Sequence, residues 1–320
     1  MSDDKFDAIV VGAGVAGTVA AYVMAKAGLD VLVIERGNSA GSKNMTGGRL
    51  YAHSIESIMP GFATSAPIER VVTREKISFL TEESAVTLDF HRAPPTPLLT
   101  SYTVLRNKLD PWLMAQAEQA GAQFIPGVRV DALVREGNRV TGVQAGDDIL
   151  DANIVILADG VNSMLGRSLD MVPEGGIAMM PELANDGVMI VGDAAGLCLN
   201  LGYTVRGMDL AIASAQAAAQ TAIDAKARQD FSAASLAGYK RALEKNGVLR
   251  DMRHFRKLPG LMENPRLFTE YPRMAANIVG DLFTVDGGPV PPLRKTILSH
   301  AKKIGLVNLL KDGIKGATAL

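Results

Sequence analysis

The 320-residue sequence predicts an α/β fold, and three observations carry that expectation. Short apolar runs such as Ala8–Val11 and Val31–Ile34 have the length and even hydrophobicity of strands buried on both faces of a parallel sheet. A stretch of small residues, Val15–Ala27, lies between those two runs and is closed by Gly28, as a helix would be. Thirty-two glycines, distributed along the chain, supply the tight turns that such a fold needs.

The composition narrows the function. Apolar residues make up 48% of the chain and charged residues 21%, which fits a packed core and excludes disorder. A formal net charge of −1 leaves no broad electrostatic footprint, so nucleic acid is not an expected partner. The single cysteine, Cys198, excludes an internal disulfide and any cluster held by several of the chain's own thiolates. His53, His91, His254 and His300 lie far apart without metal-ligand spacing, so no metal site is expected. The opening MSDDKF is polar and acidic, unlike a signal peptide. No apolar run approaches the ~20 residues of a membrane-spanning helix.

Each element follows from local chemistry. Ala8–Val11, Val15–Ala27 and Val31–Ile34 form a β-α-β unit. The polar, glycine-rich segment Asn38–Arg49 reads as a loop, with Thr46–Arg49 either facing a cofactor or forming an ordinary turn. Within Thr73–Phe90, KISFL and AVTLDF alternate as a half-exposed antiparallel pair. Arg92–Thr100 is a proline-rich connector. Arg106–Ala120 is a helix with Leu109, Trp112, Leu113 and Ala117 toward the core. Strands follow at Gln123–Ile125, Arg129–Arg135, Arg139–Ala145 and Ile154–Leu157, with a hairpin turn at Glu136-Gly137-Asn138. Val188–Val191 is another buried strand, and Val205–Ala225 a long alanine-rich helix. Residues 230–320 read as helices broken by prolines at 259, 265, 272 and 289–292. The expected domains are 1–225, with residues 52–101 as a small β insert, and a helical region at 226–320.

The chemistry sits in the glycine turns. In Val11-Gly12-Ala13-Gly14-Val15-Ala16-Gly17, Gly12 permits the turn out of the strand. Gly14 admits a pyrophosphate, and Gly17 allows close packing of helix on strand. The helix start then faces the phosphate. Glu35, at the end of the second strand and followed by Arg36, is placed to accept hydrogen bonds from ribose hydroxyls. This is a Rossmann-like dinucleotide site, and NAD and FAD share its fingerprint. Two further turns each follow a strand: Ala158-Asp159-Gly160-Val161-Asn162-Ser163, and Gly192-Asp193-Ala194-Ala195-Gly196.

These three motifs together resemble the FAD enzymes related to p-hydroxybenzoate hydroxylase and the geranylgeranyl reductases. Longer matches include NSAGSKNMTGGRLYAHS, VPEGGIAMMPEL, GDAAGLCLNLGYTVRGMDLAIAS, LRDMRHFRKLP and DLFTVDG. These resemble the FixC family of the nitrogen-fixation electron-transfer system, itself similar to electron-transfer flavoprotein:quinone oxidoreductase. The resemblance implies a FAD-binding domain of the glutathione reductase 2 type. It places Asp193 on the ribityl chain, Gly160 beside the pyrophosphate, Arg106 near ribityl or phosphate atoms, and Val130 against adenine through its backbone. Gly48, Arg49, Gly192, Gly207 and Met208 join the expected cofactor set. No residue is assigned to catalysis. The helix start at Arg206-Gly207 either faces the flavin, or Arg206 pairs with a nearby carboxylate. Cys198 is expected to be a packed small hydrophobe.

The implied partners are electron-transfer flavoprotein subunits (FixAB), a ferredoxin-like protein (FixX) and quinone. The implied location is cytoplasmic and peripheral on the inner face of the cytoplasmic membrane. The basic amphipathic tail, 294–315, suits a membrane surface, a partner or plain solvent. One departure stands out. Only Met164–Val191 separate the second and third motifs, where the family builds roughly a domain's worth of substrate and quinone structure. The simplest reading is an internal deletion near 169–172. Two alternatives to electron transfer stay open: a flavin reductase acting on an isoprenoid, and a FAD-binding scaffold made inactive by that loss.

Overall fold

The computed structural model describes residues 5–44, 46–94, 96–167, 177 and 180–319, and the expected deletion point at 169–172 lies outside them. The chain divides into two units: Met1–Val72 with Pro94–Leu199 and Val205–Arg253, and Thr73–Ala93 with Asn200–Thr204 and His254–Leu320.

The first unit is built on a parallel sheet. Its strands run side by side in the order Val188–Ile190, Asp148–Leu157, Phe6–Val11, Val31–Glu35, Gln123–Pro126. The register pairs Val10 with Ile156 on one side and Val33 on the other, and Ile156 with Met189. The paired residues are fully or almost fully buried, as evenly apolar strands require. Ala132–Glu136, Arg139–Ala145 and the start of Asp148–Leu157 form an antiparallel extension. The hairpin turn at residues 136–138 is therefore present, while Arg129–Asp131, expected as strand, precede the first strand of that extension.

Three helices pack together on the sheet. Val15–Lys26 lies against both Arg106–Gln119 and Met208–Arg228. The first and last of these helices both bury small residues: Ala16, Ala20 and Ala21 on one, Ala211, Ala215, Ala218 and Ala222 on the other. The long helix starts at Met208 rather than Val205, because Val205–Arg206 is extended and Gly207 caps the helix. Leu109, Leu113 and Ala117 are buried as expected, whereas Trp112 is half-buried. A small antiparallel sheet orders Gly47–Tyr51, Ser101–Leu105 and Ile68–Val71. Residues 47–49, expected in a loop or turn, are thus part of a strand.

Residues 226–253 belong to this unit, because Tyr239 anchors them beneath the sheet. Its ring is fully buried and its hydroxyl donates to the carbonyl of Ile190 at 2.9 Å.

The second unit contains the hairpin Arg74–Leu80 and Ala85–His91, paired Ile77 to Leu88 and Phe79 to Val86. The expected antiparallel pair is present, but both of its faces are largely exposed. The helix Glu270–Phe283 packs on this hairpin. Helices Leu258–Met262, Leu293–Ile304 and Leu306–Ala319 complete the unit. Pro259 and Pro272 stand in the first turn of their helices and Pro292 caps the next, so the prolines begin helices rather than break them. A missing N–H costs nothing there. No described helix is long and apolar enough to cross a membrane.

Replacing Tyr239 with Phe leaves the buried Ile190 carbonyl without this donor. Urea unfolding of Tyr239→Phe should show a loss of about 1–3 kcal/mol.

Candidate functional site: a cavity at the carboxyl ends of the parallel strands

Parallel strands deliver their carboxyl ends to one edge of the sheet, where ligands of this architecture bind. All three glycine motifs leave the sheet at that edge. The ladder continues into them: Gly12 N–H donates to Ile34, Ala158 N–H to Val11, and Val191 N–H to Leu157, at 2.8–3.0 Å. The turns are thereby fixed to one another and enclose a cavity of about 520 Å³ within the first unit.

The glycines act in two ways. Some create space for neighbouring backbone. A Cβ on Gly12, at φ +102°, would lie 2.5 Å from the Ala158 carbonyl oxygen, and one on Gly17 would lie 1.9 Å from that of Gly12. Gly192 likewise has room only for hydrogen, with Ala16 Cβ 2.9 Å from where its side chain would begin. Gly14 has space beside it and lines the cavity, so a ligand can approach its backbone. The helix Val15–Lys26 begins there with no side-chain cap, leaving its first N–H groups and dipole for an anion.

The expected cofactor residues Gly12, Gly14, Ala16, Glu35, Arg36, Gly48, Arg49, Arg106, Val130, Asp159, Gly160, Asp193, Gly207 and Met208 all line this one cavity. Gly17 and Gly192 do not, since they are buried in the packing just described. Residues not singled out from sequence also line it, among them Lys43, Asn44, Asn162 and Val205.

Charge in the cavity is held in place. Glu35 accepts the Ala13 N–H at 2.9 Å and the Gly37 N–H at 2.7 Å, so its carboxylate is fixed at the end of its strand. Arg106 forms a two-pronged pair with fully buried Asp110, both bonds 2.7 Å, and Asn44 adds a third bond to that carboxylate at 3.1 Å. Gly41 passes directly over Asp110, where a Cβ would come within 2.6 Å. Arg49 donates to Ser101 and stacks over the Tyr51 ring. Arg206 pairs with Asp209 and Asp251, each at 2.7 Å. Burial disfavours its charge, but the two carboxylates outweigh it and hold the guanidinium above its ordinary pKa. Arg206 thus makes the carboxylate pairing, while Gly207 and Met208 at the helix start line the cavity.

Two carboxyls are shifted the other way. Burial raises Asp159 above the usual carboxylate range, against a hydrogen bond from Ser163 and the charge of Arg36. Its Oδ1 is buried without a hydrogen-bond partner. Asp193 is exposed at the cavity, yet the walls desolvate its carboxyl enough to raise it, with Arg106 opposing. Cys198 is also exposed, which corrects the expectation of a packed small hydrophobe. Its thiol is pushed up by local desolvation and by Asp193, which suppresses the reactive thiolate. Among the described residues no cluster of His, Cys, Asp and Glu could hold a metal.

Comparison with known proteins agrees with this geometry. Residues 5–182 match the FAD binding domain family, and residues 258–320 match the ETF-QO/FixC family C-terminal domain. A probable electron transfer flavoprotein-quinone oxidoreductase, YdiS, from Escherichia coli K12 is 60% identical, with all of both chains covered. The chain belongs to the ETF-QO/FixC family. Protein FixC of Salmonella typhimurium is 44% identical, again over the whole of both chains. Among solved structures, a geranylgeranyl bacteriochlorophyll reductase-like protein from Thermoplasma acidophilum has a TM-score of 0.65 at 20% identity, covering 97% of this chain and 99% of its own. The chondrochloren halogenase CndH, a FAD-dependent halogenase, has a TM-score of 0.60 at 15% identity, covering 99% and 91%. These two share the fold. The ETF-QO/FixC chain described here is a FAD-dependent oxidoreductase.

The cavity suits FAD on its own terms. The unpartnered Asp159 Oδ1 is an acceptor that a ligand hydroxyl can satisfy, and the uncapped helix start beside Arg106 suits a diphosphate.

Two outcomes follow. Gly17→Ala forces a methyl into the Gly12 carbonyl, an overpacking cost of about 1–3 kcal/mol. The flavin absorbance of the purified variant, titrated with FAD, should report binding weakened about tenfold or more. The raised carboxyls bind a proton more tightly in the folded chain than in the unfolded one. The stability this confers is full at pH below the unfolded carboxylate range and is lost as the pH rises through the raised folded values. FAD-free protein should therefore melt at lower temperature as the pH rises through that window, and Asp159→Asn should flatten the slope.

Proposed function

We propose that this chain holds FAD in the first-unit cavity and relays electrons from an electron-transfer flavoprotein of FixAB type toward quinone or a ferredoxin-like partner. One observation carries the reading: three separate glycine turns converge on one cavity, in a chain of the ETF-QO/FixC family. FAD, when bound, supplies the redox chemistry, and the protein supplies position and electrostatics.

The residues divide that work. Gly12, Gly14 and Ala16 present the helix start to the diphosphate. Arg106, braced by Asp110, adds a fixed positive charge there. Glu35 and Arg36 flank the ribose, and the Val130 backbone meets adenine. Gly160 lies on the pyrophosphate side, while Asp159 and Asp193 accept hydrogen bonds from ligand hydroxyls. Gly48 and Arg49 face the flavin ring, and Gly207 and Met208 bring the start of the long helix to it. Gly17 and Gly192 contribute only by letting these turns pack.

A second reading, a FAD-binding scaffold without turnover, is favoured by one fact. The alignments to the relatives run over 429 positions, whereas this chain has 320 residues. A domain-sized share of those positions has no residue here, and we place the shortfall between Met164 and Val191.

Anaerobic mixing with reduced electron-transfer flavoprotein, followed in a stopped-flow spectrophotometer, separates the two. Bleaching of the bound flavin, reversed by added quinone, is the expected result. Retained yellow colour with no bleaching would reject electron relay and leave the scaffold.

A further inference from the structure

Strand order fixes the two ends of the cavity. Glu35 and Val130 follow the strands Val31–Glu35 and Gln123–Pro126 toward one side of the sheet, and Asp193 follows Val188–Ile190 toward the other. The long helix Met208–Arg228 starts at the Asp193 end: a Cβ on Gly192 would lie 3.5 Å from that of Ala211, in its first turn. Gly48 closes on the same place, where a Cβ would lie 2.6 Å from Met208 Cε. With ribose at Glu35 and the diphosphate at Gly14, the flavin ring of FAD falls to the end walled by Gly48, Gly207 and Met208.

A charge cluster sits behind that wall. Val205 and Gly207 line the cavity and Arg206 between them does not, so its side chain leaves the other way. It donates to Asp209 and to Asp251, each at 2.7 Å. One guanidinium therefore stands between two carboxylates, and the cluster carries one negative charge in excess. Asp209 is buried and its Oδ1 has no hydrogen-bond partner. Arg253, two residues beyond Asp251, is engaged by Glu244 instead.

The two acids have different reasons to be there. Asp209 stands in the first turn of the long helix, where a carboxylate offsets the positive end of the helix dipole. Asp251 comes from a separate helix, Val248–His254, and the long helix does not need it. Its charge is the surplus, and it is held half-buried, where solvent screens it less than at an open surface. Two-electron reduction of FAD with uptake of one proton leaves the cofactor one charge more negative. A fixed negative charge near the ring therefore disfavours the reduced form.

We propose that Asp251, held by Arg206 behind the start of the long helix, lowers the reduction potential of FAD in this cavity and so makes the reduced cofactor a stronger donor. Asp251 does not line the cavity and acts through its field and through Arg206. The inference rests on the proposed function above, because it requires FAD in that cavity with its ring at the Met208 end.

The test is an anaerobic reductive titration of the FAD-loaded chain with dithionite, against a dye of known potential. Asp251→Asn removes the charge, and the amide oxygen still accepts the Arg206 bond. It should raise the midpoint potential, favouring reduced over oxidised FAD about tenfold more than the parent does, or about 30 mV for a two-electron couple. Arg206→Lys keeps the cluster's charge and should stay close to the parent. Absorbance of the bound flavin and thermal melting show that both variants are folded and loaded. A potential unchanged or lowered in Asp251→Asn overturns the inference. So does an equal rise in both variants, which would assign the effect to a displaced helix start rather than to charge. A parent chain that takes up no FAD overturns the proposed function as well; one that takes it up and shows either of the other failures loses this inference alone.

Discussion

Everything at the cavity depends on four neighbouring strands running the same way in matched register. Val188–Ile190, Asp148–Leu157, Phe6–Val11 and Val31–Glu35 end at one level. Motifs far apart in the chain therefore begin at adjacent points in space. Hydrogen bonds from Gly12, Ala158 and Val191 extend the ladder past the strands and into the turns. The three turns are accordingly extensions of the sheet, tied by hydrogen bonds to the core beneath them, and a fixed frame is the condition for holding a ligand in one orientation.

Electrostatic arrangement follows from that rigidity. Two cations at the cavity are braced: Arg106 by Asp110, one turn along its own helix, and Arg49 by Ser101 on the adjacent strand. Arg206, next to the cavity-lining Val205 and Gly207, is braced by Asp209 in the first turn of the long helix and by Asp251. The carboxyls divide into two kinds. Glu35 is held in place by one backbone N–H on each oxygen and keeps further lone pairs, while Asp159 retains an oxygen with nothing to bind. Such a group costs stability in the absence of ligand and returns it when a donor arrives, a common arrangement where function takes precedence over folding.

The sequence was most readable where backbone geometry forces residue choice. Gly12, Gly14 and Gly17 announce the turn because no other residue fits two of those positions, and the apolar strand before them has no polar face to confuse the assignment. The pairing of distant side chains was not readable. Nothing local joins Arg206 to Asp251 or Asn44 to Asp110, and only the folded chain brings them together. One local signal does mark such a crossing: Gly41, within a polar loop, passes closely over Asp110. The start of the long helix is not legible because Val205 precedes it with helix-like apolar character, whereas Gly207 fixes the boundary through its backbone. Cys198 sits in an apolar run yet reaches the surface, since a stretch of two-residue strand and turn has no fixed buried side.

The parallel pairing of Asp148–Leu157 with Val188–Ile190 has a last consequence. Two adjacent strands that point the same way must be joined by a connection that leaves the sheet at one end and re-enters at the other. Its length is thermodynamically almost free: shortening a long excursion severalfold alters the cost of closing it by only about 1 kcal/mol. Such a crossover is a docking bay for extra sequence. Extra sequence can enter there at little cost in closure, beyond the first turn of the connection, whose residues 158–165 help line the pocket.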